Sequence, residues 1–317
     1  MPKASIVIPA YNAANTLPEA IHSVLSQTYQ DFQLIIVNDG SGDETGEIID
    51  GYARKDSRII PYHQENKGVG KSRNIGIEMA DGEWIGFLGA DDVWLRNKLE
   101  LQFRVVNQYP NASVIVTKCI DYKETVSEDD IKGLNILPVK HLDDIFEVLV
   151  LRDFPFPPSS AIIRTEDLRR AGCFTDDKVG EDFLPFMLLA LQNKCFYLIE
   201  LSPYKVRASK GSLSRSPWSR YLGARARVLA ISYVLENQKL YEKYLNPEQI
   251  EILKRGFDKY LKWTLSGARQ FMRFDEYFKV TFEHFSQFNR MGNATKEVLK
   301  TLLFPGVKML RSFKQEY

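Results

Sequence analysis

The chain has 317 residues, 44% hydrophobic and 26% charged, with a formal net charge of +1. That balance is globular, long enough for one large domain or two modest ones, and it excludes a global electrostatic attraction to nucleic acid or an anionic membrane. Cys119, Cys173 and Cys195 are odd in number and lack zinc-ligand spacing, so a reducing, cytoplasmic setting is expected. The first residues lack a basic flank followed by a signal-type apolar segment, and no uncharged apolar run reaches the roughly 18–20 residues that span a bilayer.

Ala4 to Pro9 (ASIVIP) is a short β-branched run that reads as a strand. Thr16-Leu17-Pro18-Glu19 reads as a capping box with an early proline, opening a helix whose apolar Leu17, Ala20, Ile21, Val24 and Leu25 share one face. FQLIIV (Phe32 to Val37), a helix over Glu44 to Ala53, RIIPY (Arg58 to Tyr62), a helix from about Gly70 to Ala80 and WIGFL (Trp84 to Leu88) continue the alternation. A helix carrying Leu95, Leu99, Phe103 and Val106 leads to SVIVTK (Ser113 to Lys118), and Asp121 to Lys140 then loses periodicity. Helical Asp143 to Leu151, strand-like PPSSAIIR (Pro157 to Arg164), the turn GCFTDD, a helix from Glu181 and strand-like CFYLIE (Cys195 to Glu200) complete the region. From Trp218 onward the pattern is helical. The expected class is α/β: a mostly parallel sheet flanked by helices over 1–216, followed by an all-helical region over 217–317.

Ligands of such sheets bind beyond the carboxyl ends of the strands. The segments there read PAYNAAN, NDGSGDE, HQENKGVGKSRN and GADDVW. GVGKS (Gly68 to Ser72) is similar to a phosphate loop, but the required first glycine falls at Glu65 and the segment follows the third strand, so nucleotide hydrolysis is not expected there. Asp39 has two readings. It belongs to a helix entry capped by Ser41 or Asp43, or it accepts hydrogen bonds from a nucleobase or ribose.

Asp91 and Asp92 close an apolar strand, where carboxylates need water or a cation. A hard divalent ion shared with a substrate diphosphate meets that need, with Asp91 as its ligand, while Asp92 reads equally well as the cap of a helix from about Trp94 to Gln108. Gly180-Glu181-Asp182 opens a helix on which adjacent side chains diverge by about 100°, so only one of the two acids can face a given ligand squarely.

Taken together, IPAYN, VNDGSGDET, the N(x)7N spacing of Asn66 and Asn74, ADDVW and GED resemble the family 2 inverting glycosyltransferases of GT-A fold, over roughly Ser5 to Ser214. The resemblance implies transfer of a sugar from a nucleoside diphosphate donor, commonly uridine diphosphate, to a hydroxyl of a glycan or glycolipid, with Mn2+ or Mg2+. It implies that Pro9, Tyr11, Asp39 and Arg73 hold base and ribose, with Asn66 and Ala90 also at the donor. Asp91 would carry the metal on the diphosphate, and Asp182 would be the catalytic base.

Two positions depart from the family pattern. Gly89 stands where an aspartate usually pairs with Asp91, and Arg207 stands where a histidine metal ligand is common. Arginine has no lone pair for a metal but can neutralise diphosphate oxygens. The expectation is an active transferase with reduced metal dependence; the alternatives are a non-catalytic nucleotide-sugar binding module and a nucleotidyltransferase. Lys296 to Lys314 carries five basic residues against one acid. It reads equally as a peripheral membrane contact near lipid-linked acceptors and as a packed helix with a basic face.

Overall fold

The computed structural model describes residues 2–121, 136–152, 156–172, 174–175, 180–207 and 219–270. Every residue of β2 (Phe32–Asp39) is buried, as is all of β1 (Ala4–Ala10) except the half-buried Pro9, the pattern of strands covered on both faces. The two run parallel from Ala4 opposite Phe32 to Ala10 opposite Asn38; β3 (Ile59–Gln64) pairs parallel with β2, and β4 (Trp84–Phe87) with β1. With β6 (Ala112–Thr117), β8 (Val139–His141), β9 (Ile162–Arg164) and β10 (Cys195–Ile199) they form an eight-stranded sheet in the order β3-β2-β1-β4-β9-β6-β10-β8. Only β9 and β8 run antiparallel to their neighbours. A second sheet joins β5 (Val93–Trp94), β11 (Tyr204–Val206) and β7 (Ile120–Asp121), with β11 in the middle.

Consecutive strand residues face opposite sides, so Ile6 and Ile8 enter one core and Val7 the other. The first core receives α1 (Leu17–Leu25), α2 (Thr45–Ala53) and α4 (Lys98–Gln108) through Leu17, Ile21, Ile49, Leu99 and Phe103. The second receives α3 (Val69–Glu78), α5 (Ile145–Leu151), α6 (Thr165–Ala171) and α7 (Phe183–Leu191). The later helices α8 (Ser219–Glu236) and α9 (Pro247–Gln270) enter this second core through Ile231, Val234, Leu253 and Phe257. The helical region therefore shares a core with the sheet. The boundary expected near Ser216 and the basic segment 296–314 lie outside the described residues.

Two local expectations are corrected. Thr16 precedes α1 as expected, but its backbone is helical and its side chain makes no capping bond; the hydroxyl points back to Ala13 O. PPSSAIIR is a strand only over β9, because Pro157 and Pro158 have no N–H for a ladder and Pro158–Ser160 instead forms one 3-10 turn.

Candidate active site

The loops leaving β1 and β2 are laced together. Ser41 Oγ accepts from Asn12 N at 3.0 Å, Asn12 Oδ1 from Gly42 N at 2.8 Å, Thr45 Oγ1 from Ala13 N at 2.8 Å and Asp43 Oδ2 from Ala14 N at 3.1 Å. Ser41 thus joins two loops rather than capping α2, whereas the other oxygen of Asp43 does take an early amide of that helix, Thr45 N, at 3.1 Å. Pro9 is half-buried at the end of β1, and Tyr11, 55% exposed, stands free beyond it.

Asp39 is buried at the end of β2. Its Oδ1 accepts from Gln64 Nε2 and Lys67 N, both at 2.8 Å, and its Oδ2 from Gly68 N at 2.9 Å. The carboxylate therefore fastens the β3–α3 loop and takes two amides that a phosphate cradle in GVGKS would need. Of its roughly four acceptor directions, one remains for a nucleobase N–H or a ribose hydroxyl. Asn66 is exposed on the same loop. The loop lies so close to Gly40, at φ +71°, that a Cβ there would be 2.6 Å from Asn66 N.

The β4–β5 turn separates its two aspartates. Asp92 is buried: Oδ1 accepts from Arg207 N at 3.1 Å, and Oδ2 from Tyr204 Oη at 3.0 Å and Ser159 Oγ at 3.4 Å. It ties three segments together and does not cap α4, whose N-cap is Asn97. Burial, and then the charge of Asp91, push its carboxyl up to about 6. Asp91 is half-buried beside the half-buried Ala90, and its carboxylate accepts from no other described residue. Burial raises its pKa against the pull of its own amide and of Arg207. Arg207 donates from Nε to Asp91 O at 3.0 Å and from Nη2 to Glu19. A guanidinium and one uncommitted carboxylate therefore stand side by side.

No cluster of three metal-ligating side chains occurs among the described residues. Asp91 alone fits a cation that arrives with a diphosphate, where phosphate oxygens and water complete the shell, and does not fit a preformed metal centre. Gly89 explains part of this. A Cβ on it would lie 3.0 Å from both Asp91 Oδ1 and Asp92 Oδ2, so the bare backbone lets both carboxylates turn inward. Gly89→Asp would add a third acid there. The variant is expected to lose stability in chelator and to gain a larger Mn2+-dependent rise in melting temperature than the parent; equal shifts in both would show that the added carboxylate reaches no cation.

The third constellation joins α3 to the start of α7. Asn74 clamps Phe174, donating from Nδ2 to Phe174 O at 3.0 Å and accepting from Phe174 N at 2.9 Å. One turn earlier, a Cβ on Gly70 would lie 1.9 Å from Thr175 O, so only glycine fits. Gly70→Ala is expected to cost about 1–3 kcal/mol as overpacking, read as a lower urea midpoint. Arg73 lies over the Phe174 ring at 5.2 Å and pairs with the buried Glu181, so its charge is committed inside the protein. Asp182 follows, half-buried, at the start of α7. Desolvation and then Glu181 push its carboxyl up to about 7, while Arg73 and Arg227 pull it down.

The structure thus groups Asp91, Ala90 and Arg207, groups Asp39 with the Asn66 loop, and places Arg73 with Glu181 and Asp182. Sequence reasoning missed the seats of these groups: Ser159 and Tyr204 under Asp92, Glu19 beside Arg207, and Arg227 near Asp182. Tyr204 could have been noticed, since it falls in the same YKVR segment as Arg207; the others carry no local signal.

A mostly parallel sheet with acids and amides at its carboxyl edge, followed by packed helices, is a GT-A-like architecture. Residues 5–153 match the profile described as Glycosyl transferase family 2. It is 38% identical over 122 residues to glycosyltransferase GlyG of Streptococcus pneumoniae serotype 4, a match covering 38% of this chain and 40% of that protein. With glycosyltransferase GlyA of the same organism it shares 28% identity over 221 residues, covering 67% of this chain and 32% of that one. The chain spans less than half the length of either relative. Among solved structures, S. aureus TarS 1-349 in complex with UDP-GlcNAc aligns with a TM-score of 0.60 at 21% identity, over 86% of this chain and 81% of that one. Mannosyltransferase PcManGT from Pyrobaculum calidifontis, in complex with GDP-Man and Mn2+, aligns with a TM-score of 0.54 at 14% identity, over 100% of this chain and 88% of that one. At these identities the likeness is one of fold. No helix among the described residues is long and apolar enough to cross a membrane.

Proposed function

We propose that the chain is an inverting glycosyltransferase, moving a sugar from a nucleoside diphosphate donor, with uridine diphosphate the first choice, to a hydroxyl of a glycan or lipid-linked acceptor. The observation that carries this reading is the set of acids at the sheet's carboxyl edge, Asp39 bonded to the Asn66 loop and Asp91 beside Arg207, with Asp182 at a helix start where burial pushes its carboxyl up toward the range of an effective general base.

Displacement at an anomeric carbon needs a proton removed from the acceptor hydroxyl as the new C–O bond forms, and negative charge neutralised on the diphosphate leaving from the opposite face. Asp182 accepts that proton. Arg207, beside Asp91 at the β4 exit, faces the leaving charge, and Asp39 with the Asn66 loop orients base and ribose. A divalent cation held by Asp91 would supply Lewis-acid neutralisation of the same oxygens.

Thermal shift with UDP, GDP and their sugar conjugates, each with Mn2+, Mg2+ or chelator, tests the binding half. A ligand at a hundredfold its Kd stabilises by about 2.7 kcal/mol, so binding is readily seen. A rise with UDP or UDP-sugars that survives chelator in part is expected. No rise with any nucleoside diphosphate would sink the reading.

A further inference from the structure

The helix pair α8–α9 packs against the turn that carries the candidate base. Gly180, at φ +85°, packs against α8 so closely that a Cβ on it would lie 3.0 Å from Ala226 Cβ and 3.4 Å from Gly223 Cα. One turn beyond Gly223 stands Arg227. Its Nη1 donates to Gly223 O at 3.0 Å, and its guanidinium lies 5.4 Å from the ring centre of Phe183, the residue after Asp182, and 5.3 Å from that of Tyr260 on α9. Those rings are themselves edge to face at 6.5 Å, and Tyr260 is fully buried with its hydroxyl bonded to Arg152 O. Arg227 is thus gripped by two aromatic faces. No carboxylate of the described residues pairs with it at contact distance, and its buried Nε has no hydrogen-bond partner.

The charged groups that act on Asp182 are Glu181 of its own turn, Arg73 of α3 and Arg227 of α8. Arg73, the stronger of the two cations on Asp182, is also paired with Glu181, whereas Arg227 has no such carboxylate partner among the described residues. We propose that Arg227 is a positioning residue for the candidate base, holding Asp182 ionised and aligned through the Phe183–Tyr260 clamp, so that the helical region completes the catalytic site. This rests on the transferase reading only in naming Asp182 the base; the packing of α8 and Arg227 against the Gly180–Phe183 turn stands without it.

The test is a carboxyl-carbon NMR titration of the full chain with labelled aspartate, Asp182 being assigned by the signal lost in Asp182→Asn. An opposite charge at close range lowers a carboxyl pKa by about 1–3 units. Arg227→Gln, which keeps a donor for Gly223 O, is therefore expected to raise the Asp182 midpoint by less than the roughly 1–3 units of a contact pair, and Arg227→Lys to restore most of it. With a donor that turns over, the acid limb of kcat/KM is expected to move by the same amount, a shift that a purely structural role would not produce. Should Arg227→Gln fail to fold, Phe183→Leu keeps every charge but opens the clamp, and a smaller rise is expected. An unmoved midpoint in the variant that folds overturns the proposal. Absence of transfer by the parent protein would refute the transferase reading alone, since the titration needs no turnover.

Discussion

Asp182→Asn is expected to reduce sugar transfer by about 10²–10⁴-fold, the usual contribution of a general base, while leaving nucleotide binding nearly intact. The amide keeps the shape of the carboxyl but cannot take a proton from an acceptor hydroxyl. The pH dependence follows from the same group. Because its pKa is raised to about 7, the base is half ionised there, and the parent activity is expected to fall as pH drops through that value. Stability runs the other way. A carboxyl whose folded pKa is raised favours the fold while protonated, and that contribution is lost as pH rises from the ordinary aspartate range through about 7. Asp182→Asn, neutral throughout, is therefore expected to gain stability relative to the parent above neutrality, read from urea midpoints at pH 5 and pH 8. A large loss of UDP binding in this variant would instead place Asp182 at the donor.

Arg73→Met is expected to be the most destabilising of these substitutions, by about 3–5 kcal/mol, the cost of leaving one partner of a buried ion pair alone. The pair side chains are only 11% and 10% exposed, and Glu181 adjoins a second acid. With Arg73 gone, Glu181 loses its counter-charge and Asp182 one of the two cations that act on it. The penalty is expected to shrink in acid, where Asp182 is protonated and no longer demands a cation. Glu181→Gln in the same chain removes the orphaned charge and is expected to recover part of the loss, giving a coupling that a double-mutant cycle measures. An additive result would mean that the two side chains do not pair in solution.

The strands near the site were largely legible because β1, β2 and β4 are short aliphatic runs bounded by glycine, amides and acids, and a buried strand leaves few other assignments; their order in the sheet was not. Asp39 and Asp91 stood out for the same reason, as carboxylates where buried chain ends. What could not be read depends on chain segments far apart in sequence. Ser159 and Tyr204 reach Asp92 from 67 and 112 residues away, and Arg207 meets Glu19 across 188. No local pattern encodes those approaches. Lys98 is the clearest case, of a residue type that is almost never fully buried and yet buried here, 3.9 Å from the Trp94 ring centre and bonded to Gln102, with burial holding its pKa well down. Thr16 failed as a capping residue because helix start signals describe side-chain chemistry, whereas the backbone at that turn was set by the loop clamped to Ser41, Asp43 and Thr45.

The most direct measurement is release of nucleoside diphosphate from a panel of UDP- and GDP-sugars, with Mn2+, Mg2+ or chelator, by the parent chain and by Asp182→Asn. The expected result is release from at least one donor by the parent, reduced but not abolished in chelator, and lost in Asp182→Asn with nucleotide binding retained. Tight nucleotide binding with no release from any donor, or release that Asp182→Asn leaves unchanged, would contradict a transferase working through Asp182.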